Sequence, residues 1–566
     1  MIKKKIVHLT NLSKKQKFKN LDNFYAGKWC GDPFDRNEKN YLVYIQSNKQ
    51  FNKNIKKSLI FLSKELNKYH KTNFSLKFWK IVLLPYVNIM SNIIYDRYCV
   101  IDRLIKVKNI DSYLVAEESK NLLIFDDFLD FNNNLNNDFF NNVIFYHLLK
   151  FVNISNFKYF ITKKNKKNPL NKYRIYLNKF KKYVSALSNR QVIFYNSTLS
   201  FRTHFELYFK YFFFSDYEKL QVNSNLVSNF RNKNKNKNKK LNFQEILNFF
   251  LIKFIPKSYL ENFDLIKNNR KNKFFEKASI FITSISHIMD DYFKILFANM
   301  KRKKKNLRLI VLQYGSEYIL KKESHSNLSY ELCDKQLNWG TIENKKKSVF
   351  IGANLNLRSN KEIEKNKNYK KFKILYICND FPLYNYKNIS IKIGPNYYRH
   401  HLFQEKFLKE IRPTIRKKID IKPYFINYGW DLEKRLKSID NKFSFLKEKN
   451  IKNLYRKYDL IISSTPTTTF LESIYLNIPS ITLFDNKIWQ LNSKAQNLFK
   501  KLKKHNIYFS DPFFAADYIN SNFKTLKLNW YSSKCQSDLN IFRKNLIFKN
   551  NDNSKEISKL VEKLIK

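Results

Sequence analysis

Apolar positions along this chain fall into two patterns. Through the first third they recur every three or four residues, and Leu59, Leu62, Leu66 and Tyr69 share one helical face. Residues 78–95 form the most apolar stretch, interrupted by Lys80, Pro85, Asn88 and Asn92. The stretch is too short and too polar to span a bilayer comfortably, so it reads as a buried helix. One early strand is expected near residues 24–26.

The second half reads differently. Residues 307–312 (LRLIVL) and 372–378 (FKILYIC) are short, nearly continuous apolar runs, as strands buried in a parallel sheet should be. From 372 onward, strand-like and helix-like pieces alternate. Residues 423–427, 459–463 and 480–484 read as strands; residues 405–410, 432–439 and 467–476 read as helices. Such alternation implies α/β layers, and these sheets bind ligands beyond the carboxyl ends of their strands. The Asn/Lys tracts at 132–137, 163–168, 231–240, 301–305 and 360–371 cannot bury apolar area and are expected as surface loops.

Length changes the picture first: 566 residues exceed one hydrophobic core, so two or more domains are expected. A hydrophobic content of 43% with 17% aromatics excludes a disordered chain. The net charge of +60 suggests a nucleic-acid or anionic-membrane binder. Yet Lys, Asn, Ile, Phe and Tyr are enriched together while Gly (7) and Pro (11) are scarce, the pattern of A+T-rich codons. The lysines are dispersed, and no RNP signature, zinc finger or basic heptad occurs. The field still suits a phosphorylated substrate. Five cysteines without a CxxC pair give no zinc site or disulfide framework and fit a reducing compartment. The basic N-terminus lacks an apolar run long enough for a signal peptide, so a cytoplasmic location is expected.

Candidate chemistry concentrates at residues 459–479, DLIISSTPTTTFLESIYLNIP. Leu460, Ile461 and Ile462 supply a strand. Thr465 followed by Pro466 is a good helix start, a hydroxyl N-cap with proline at the first helical position. Ser464, Thr465, Thr467, Thr468 and Thr469 surround a helix N-terminus, whose free N–H groups suit a phosphate or a sugar hydroxyl. Glu472, one turn on, could accept two hydrogen bonds from a ribose diol. The plain alternative is a capped helix in which Thr469 and Glu472 form a local capping interaction. The Rossmann glycine fingerprint and the Walker loop are both absent.

Several ordered pieces resemble a bacterial family of transferases encoded with surface-polysaccharide biosynthesis, whose members look similar to B-type glycosyltransferases. They are Tyr25-Ala-Gly-Lys-Trp-Cys30, Leu66 to His70 with Phe78-Trp79-Lys80-Ile81, Pro85 and Tyr95-Asp-Arg-Tyr98, then Tyr314-Gly315, Glu323-Ser-His325 and Asn338-Trp-Gly340. Arg416, Tyr428-Gly-Trp430, Thr467 to Glu472 with Asn477-Ile-Pro479, Ala515-Ala516 and Trp530 complete the series. Two departures stand out: Val311 to Glu317 lacks the family's His-Gly-rich turn, and Lys28 replaces an acidic residue. The resemblance implies an α/β fold of two Rossmann-like domains facing a cleft, with a helix-rich N-terminal part. Residues 1–345 would form the acceptor-side domain and 346–566 the donor-binding domain.

The resemblance also implies the transfer of a sugar or polyol-phosphate from a nucleotide-activated donor to a surface-polysaccharide precursor. Ser464, Thr465, Thr467, Thr468, Thr469, Glu472 and Arg416 would bind the donor, Arg416 by bidentate pairing with a diphosphate. His325, Glu323 or Glu317 would activate the acceptor hydroxyl. No metal cluster and no cofactor are expected, the donor being a substrate, and inverting, metal-independent transfer follows. The acceptor would be a glycan or a lipid-linked glycan at the inner membrane surface, with no specific nucleic acid. Two rivals remain: a non-catalytic degenerate relative serving as a scaffold, motivated by the altered turn, and a basic nucleic-acid-binding protein. Trp29, Trp79, Trp339 and Trp430 are read as core anchors.

Overall fold

The computed structural model describes residues 3–16, 20–31, 52–121, 123–162, 189–214, 228–231, 242–316, 325–341, 346–353, 372–387, 393–550 and 552–565, with a few single positions between them. Three parallel sheets carry the architecture. The first runs β2-β1-β3-β4, from β1 (Lys5–His8), β2 (Asp22–Tyr25), β3 (Ile110–Ala116) and β4 (Phe157–Phe160). The second holds β5 (Asn189–Tyr195), β6 (Tyr211–Phe214), β7 (Ile280–Thr283), β8 (Arg308–Leu312), β9 (Lys335–Asn338) and β10 (Ser348–Phe350), in the order β10-β9-β8-β7-β5-β6. The third holds β11 (Ile374–Ile377), β12 (Ile419–Lys422), β13 (Ser444–Phe445), β14 (Leu460–Ser463), β15 (Ser480–Leu483) and β16 (Tyr508–Phe509), in the order β13-β12-β11-β14-β15-β16. That last order is the doubly wound Rossmann arrangement. The expected fold class is therefore observed: α/β, with two Rossmann-like sheets and a helix-rich N-terminal part. The four-stranded first sheet is an addition of which only β2 was expected.

The strands form where apolar residues occupy both faces. In the third sheet Ile374, Tyr376, Leu460 and Ile462 enter one core, while Leu375, Ile377 and Ile461 enter the core on the opposite face. The second sheet alternates in the same way, with Val192, Phe194, Ile310 and Leu312 on one side and Ile193, Tyr195, Leu309 and Val311 on the other. Residues 423–427 are not a strand. Proline cannot donate to the ladder, so β12 ends at Lys422 and the strand lies four residues earlier.

The helix Leu76–Leu104 is long and apolar enough to cross a membrane, but 83% of its most apolar window is buried inside the protein. Trp79 and Tyr86 are fully buried there, and the helix packs against Asn52–Tyr69, Asp138–Phe151 and Asp291–Lys303. Trp29, Trp79, Trp339 and Trp430 are all core residues.

The Asn/Lys tracts divide. The segments at 163–168 and 360–371, and most of 231–240, lie outside the described residues. Residues 132–137 are more than a loop: Asn137 caps the helix Asp138–Phe151 through the N–H groups of Phe139 and Phe140. Asn136 accepts from the Tyr384 N–H and donates to the Tyr428 carbonyl. Arg231 is buried and paired with both carboxylate oxygens of Glu261. After β16 the chain continues through Ser533–Leu546 and returns to the second sheet. There Ala353 bridges Lys549, and the helix Asn553–Ile565 buries Ile557 and Val561.

Candidate functional site

In the third sheet the strand order reverses between β11 and β14. The chain leaves β11 toward β12 on one side and later enters β14 on the other, so the loops at their carboxyl ends diverge and open a crevice. The β14 side is Ser463 to Thr469; the β11 side is Cys378, Asn379 and Asp380. Ser464 N–H donates to the Ile377 carbonyl at 2.9 Å, which sets the depth of the turn. Asn379 N–H donates to Ser464 Oγ at 3.1 Å, and its amide nitrogen donates to Thr465 Oγ1 at 3.3 Å. Thr465 Oγ1 lies 3.3 Å from Thr467 Oγ1, which lies 3.3 Å from Thr469 Oγ1. The hydroxyls therefore form a chain along the crevice.

The helix begins two residues later than expected. It spans Thr468–Tyr475 with Thr467 as the N-cap, and Thr467 makes no side-chain capping bond. Thr465 and Pro466 belong to the turn, because Thr465 Oγ1 is engaged by Asn379 and cannot cap. The first-turn N–H groups thus keep the positive end of the helix dipole without a side-chain acceptor at the cap.

The second sheet supplies the facing wall. Beyond β8, Ser316 N–H donates to Thr468 Oγ1 at 3.2 Å, and Gly315 lies against the same hydroxyl. Gln313 fixes this loop by donating to the Gly315 carbonyl at 3.0 Å and accepting from Trp339 N–H at 2.8 Å. Tyr314 is 39% exposed beside it. The carboxyl ends of the second and third sheets therefore meet at Thr468. The first sheet points the same way: Trp29, just past β2, packs on Tyr384 with ring centroids 5.6 Å apart.

Ser464, Thr465, Thr467, Thr468 and Thr469 come together as expected. Glu472 is near them in sequence but turned inward. Its carboxylate is buried and accepts from Tyr455 OH at 2.6 Å, and burial raises its pKa. No local capping bond with Thr469 forms. Arg416 lies elsewhere, in the helix Pro413–Arg416 that precedes β12, at the amino ends of the strands. Its guanidinium donates to the carbonyls of Lys409 and Ile411 and pairs with Asp440 at 3.7 Å, closing the end of the helix Tyr398–Glu410. Glu317 and Glu323 lie outside the described residues; His325 opens the helix His325–Leu332, and its side chain is likewise outside them.

The residue patterns missed Asn379 and Asp380 and gave the conspicuous polar cluster Arg399, His400 and His401 no role. Asp380 Oδ1 lies 3.4 Å from His401 Nε2, and both are buried at the switch point. Burial pushes the Asp380 carboxyl well above the usual carboxylate range and lowers His401 to about 3, which leaves the imidazole neutral. The available signal was Asn379-Asp380 placed directly after the apolar run of β11. Asn338, at the end of β9, is buried with both amide atoms unpartnered among the described residues. No cluster of three or more His, Cys, Asp or Glu that could hold a metal occurs among the described residues.

The switch point is thus a hydroxyl-lined crevice in an α/β protein, faced by the loop of a second Rossmann-like sheet, at the position where such sheets bind ligands. The chain belongs to the LIC12162 family of transferases, whose profile matches residues 6–561. No curated protein matches it. Among solved structures it is similar to the wall teichoic acid polymerase TagF determined with CDPG, at 12% identity over 68% of this chain and 91% of that chain, TM-score 0.31. It is also similar to MnaA of S. aureus determined with UDP, at 9% identity over 54% and 80% of the two chains, TM-score 0.34. MurG of Acinetobacter baumannii gives 9% identity over 53% and 77%, TM-score 0.28.

Proposed function

We propose that this transferase moves a sugar or a polyol-phosphate from a nucleotide-activated donor to a surface-polysaccharide precursor. The observation that carries the reading is the hydroxyl chain Thr465–Thr467–Thr469 at the β11/β14 switch point, with Thr468 tied to Ser316 across the junction. In this reading the third sheet holds the donor and the second sheet faces the acceptor; the division between them falls after β10 and not at residue 345, because Ser348–Phe350 still pairs with β9. The N–H groups of Thr468 and Thr469, the two at the helix start with no backbone acceptor among the described residues, take the donor phosphates, and the threonine hydroxyls take the remaining phosphate or sugar oxygens.

The acceptor oxygen forms the new bond to the transferred group as the bond to the nucleotide's phosphate oxygen breaks. The acceptor proton passes to a base from the 317–325 segment, for which Glu317, Glu323 and His325 are the candidates. The nucleotide leaves as an anion, stabilised by the helix N–H groups and the cationic field of the chain. Metal-independent transfer with inversion is the form of the reaction this arrangement suits. Asp380 accepts from the Phe381 N–H and donates its own N–H to Asn379 Oδ1, so it positions the Asn379 loop and needs no contact with the donor. Glu472 and Arg416 are assigned structural work, so the donor set reduces to the hydroxyl chain and Asn379.

A thermal-shift panel of CDP, UDP, CDP-glycerol and UDP-sugars tests the reading. One nucleotide class should raise the unfolding midpoint saturably by several degrees, roughly 2–3 kcal/mol at a hundredfold excess over Kd. Thr467→Ala with Thr468→Ala should remove that shift while leaving the ligand-free midpoint within a few degrees. A flat response of the wild type to the whole panel sinks the proposal.

A further inference from the structure

Two carboxamides stand side by side where β8 and β9 end. Leu312 and Leu337 pair in the ladder and enter the same core, so Gln313 and Asn338, next along each strand, share the opposite face about 4.8 Å apart. Gln313 is fully used: its amide nitrogen donates to the Gly315 carbonyl and its oxygen accepts from Trp339 N–H. Asn338 is 1% exposed, and neither its amide nitrogen nor its oxygen has a partner among the described residues. A buried carboxamide left unpaired weakens the fold. Its place at the carboxyl end of a strand, one strand from the loop that touches Thr468, is where a ligand would pair it.

Tyr314 follows Gln313 and comes directly before Gly315, which lies against Thr468 Oγ1. Its ring is partly exposed, while Gln313 and Ser316 on either side are buried and fixed. The loop therefore presents an aromatic face from a held backbone, next to the helix start assigned to the donor phosphates. Charge narrows what ligand fits. Residues 196–198, 284–287, 313–316 and 338–340, at the carboxyl ends of β5, β7, β8 and β9, include no Lys, Arg, Asp or Glu, in a chain of which such residues make up 27%. The next residue after this β8 loop is an acid, Glu317. A phosphate-bearing group finds no cation among these residues. An uncharged sugar ring suits them: its C–H face covers an aromatic ring, and its hydroxyls both donate to and accept from a carboxamide.

We propose that Tyr314 and Asn338 form a subsite for an uncharged sugar ring on the second-sheet side of the junction, with the Tyr314 ring against the sugar face and the Asn338 carboxamide on its hydroxyls. The ring comes from one of two sources, the group carried by the donor or the terminal residue of the acceptor. The subsite rests on the transferase reading above for its place in the reaction, and it selects a ring over an open-chain polyol-phosphate.

The donor source is read by isothermal titration of the full chain with UDP, CDP, GDP and dTDP, each alone and as its glucose conjugate, with CDP-glycerol as the open-chain comparison. The acceptor source is read by saturation-transfer NMR with methyl glucoside against glycerol 3-phosphate. In one arm the ring should be favoured at least about tenfold, over the bare nucleotide or over glycerol 3-phosphate. Tyr314→Ala should erase that preference and Tyr314→Phe should keep it. Asn338→Leu should erase it too, while the ligand-free unfolding midpoint holds or rises, because an unpaired buried polar group has gone. An asparagine with a merely structural role would lower the midpoint on substitution and leave the preference intact. The proposal is overturned by the lack of a ring preference in both arms, by a preference for CDP-glycerol or glycerol 3-phosphate, or by a ring preference that survives Tyr314→Ala and Asn338→Leu. Nucleotide binding without ring preference sinks the subsite alone; ring binding by a chain that binds no nucleotide sinks the transferase reading alone.

Discussion

The Glu472 carboxylate, 2.6 Å from the phenolic oxygen of Tyr455, has no exposed edge to offer a ribose. Its removal acts on the fold. Glu472→Ala leaves Tyr455 OH with only the longer 3.4 Å bond to the Thr469 carbonyl and opens a cavity, so about 2–4 kcal/mol should be lost in urea denaturation. Glu472→Gln keeps an acceptor and should lose far less. Nucleotide binding by the glutamine variant should match the wild type. Asp290 gives a second residue-scale expectation. Its Oδ1 caps the helix Asp291–Lys303 through Phe293 N–H at 3.1 Å. Burial first, then the neighbouring Asp291 charge, pushes its carboxyl up to about 7, against the opposing pull of Lys294. A carboxyl raised on folding holds a proton that the unfolded chain has lost, so its contribution falls as pH rises from about 4 to about 7. Asp290→Asn keeps the cap and removes the titration. Its unfolding midpoint should gain on the wild type between pH 5 and pH 8, by about 1 kcal/mol or more. The hydroxyl chain was legible from the sequence because five of six residues after Ser463 carry it in a row. The true orientation of Glu472 was not, since its partner Tyr455 lies seventeen residues away in a separate turn.

At the scale of elements, a helix of the N-terminal part grips a loop of the third sheet. Arg97, in Leu76–Leu104, donates to Asp96 at 2.5 Å, to Asn141 at 2.6 and 3.1 Å, and to the Asn385 carbonyl at 2.7 Å. Asn385 returns a bond to Asp96 at 3.1 Å, and Tyr384 donates to Asp138. This loop starts at the carboxyl end of β11, five residues before Tyr384, where Asn379 meets the threonines. Arg97→Ala strips the buried Asp96 of its counter-charge and should cost roughly 3–5 kcal/mol. Arg97→Lys, lacking the planar fork, should recover only part of that. Hydrogen exchange should quicken at residues 379–387 in both variants; unchanged exchange there would mean the loop holds itself. The sequence announced the Tyr95-Asp-Arg-Tyr98 signature but not its partner, nearly three hundred residues away. Of the C-terminal sheet, β11, β14 and β15 were read to within two residues, because parallel strands buried on both faces leave continuous apolar runs; β12 lies four residues before the strand expected, and the two-residue strands β13 and β16 left no run to read. Of the first sheet only β2 was announced, by the strand expected near residues 24–26; β1 and β4 are four residues each and lie beside polar loops.

For the molecule as a whole, the chain's return to the second sheet binds the two Rossmann-like layers together. Phe548 N–H donates to the Trp339 carbonyl at 3.0 Å, Ala353 N–H to the Phe548 carbonyl at 2.7 Å, and the Asn553 amide to the Ile351 carbonyl at 2.7 Å. Gly340 is where the end of Ser533–Leu546 crosses: a Cβ there would fall on the backbone carbonyl of Asn545, which cannot move aside like a side chain. Gly340→Val should therefore displace the crossing. Deleting residues 552–566 removes its final anchor, the helix whose Ile557 and Val561 are fully buried against the second sheet. Two such side chains are worth roughly 3–6 kcal/mol of burial, so the truncated chain should unfold at a clearly lower urea midpoint. The two changes should also be non-additive, since the tail cannot stabilise a crossing that Gly340→Val has already displaced. Additive losses would show that the tail and the crossing act independently, leaving contacts such as Ser316 N–H to Thr468 Oγ1 and Asn492 N–H to the Leu320 carbonyl to hold the layers in register.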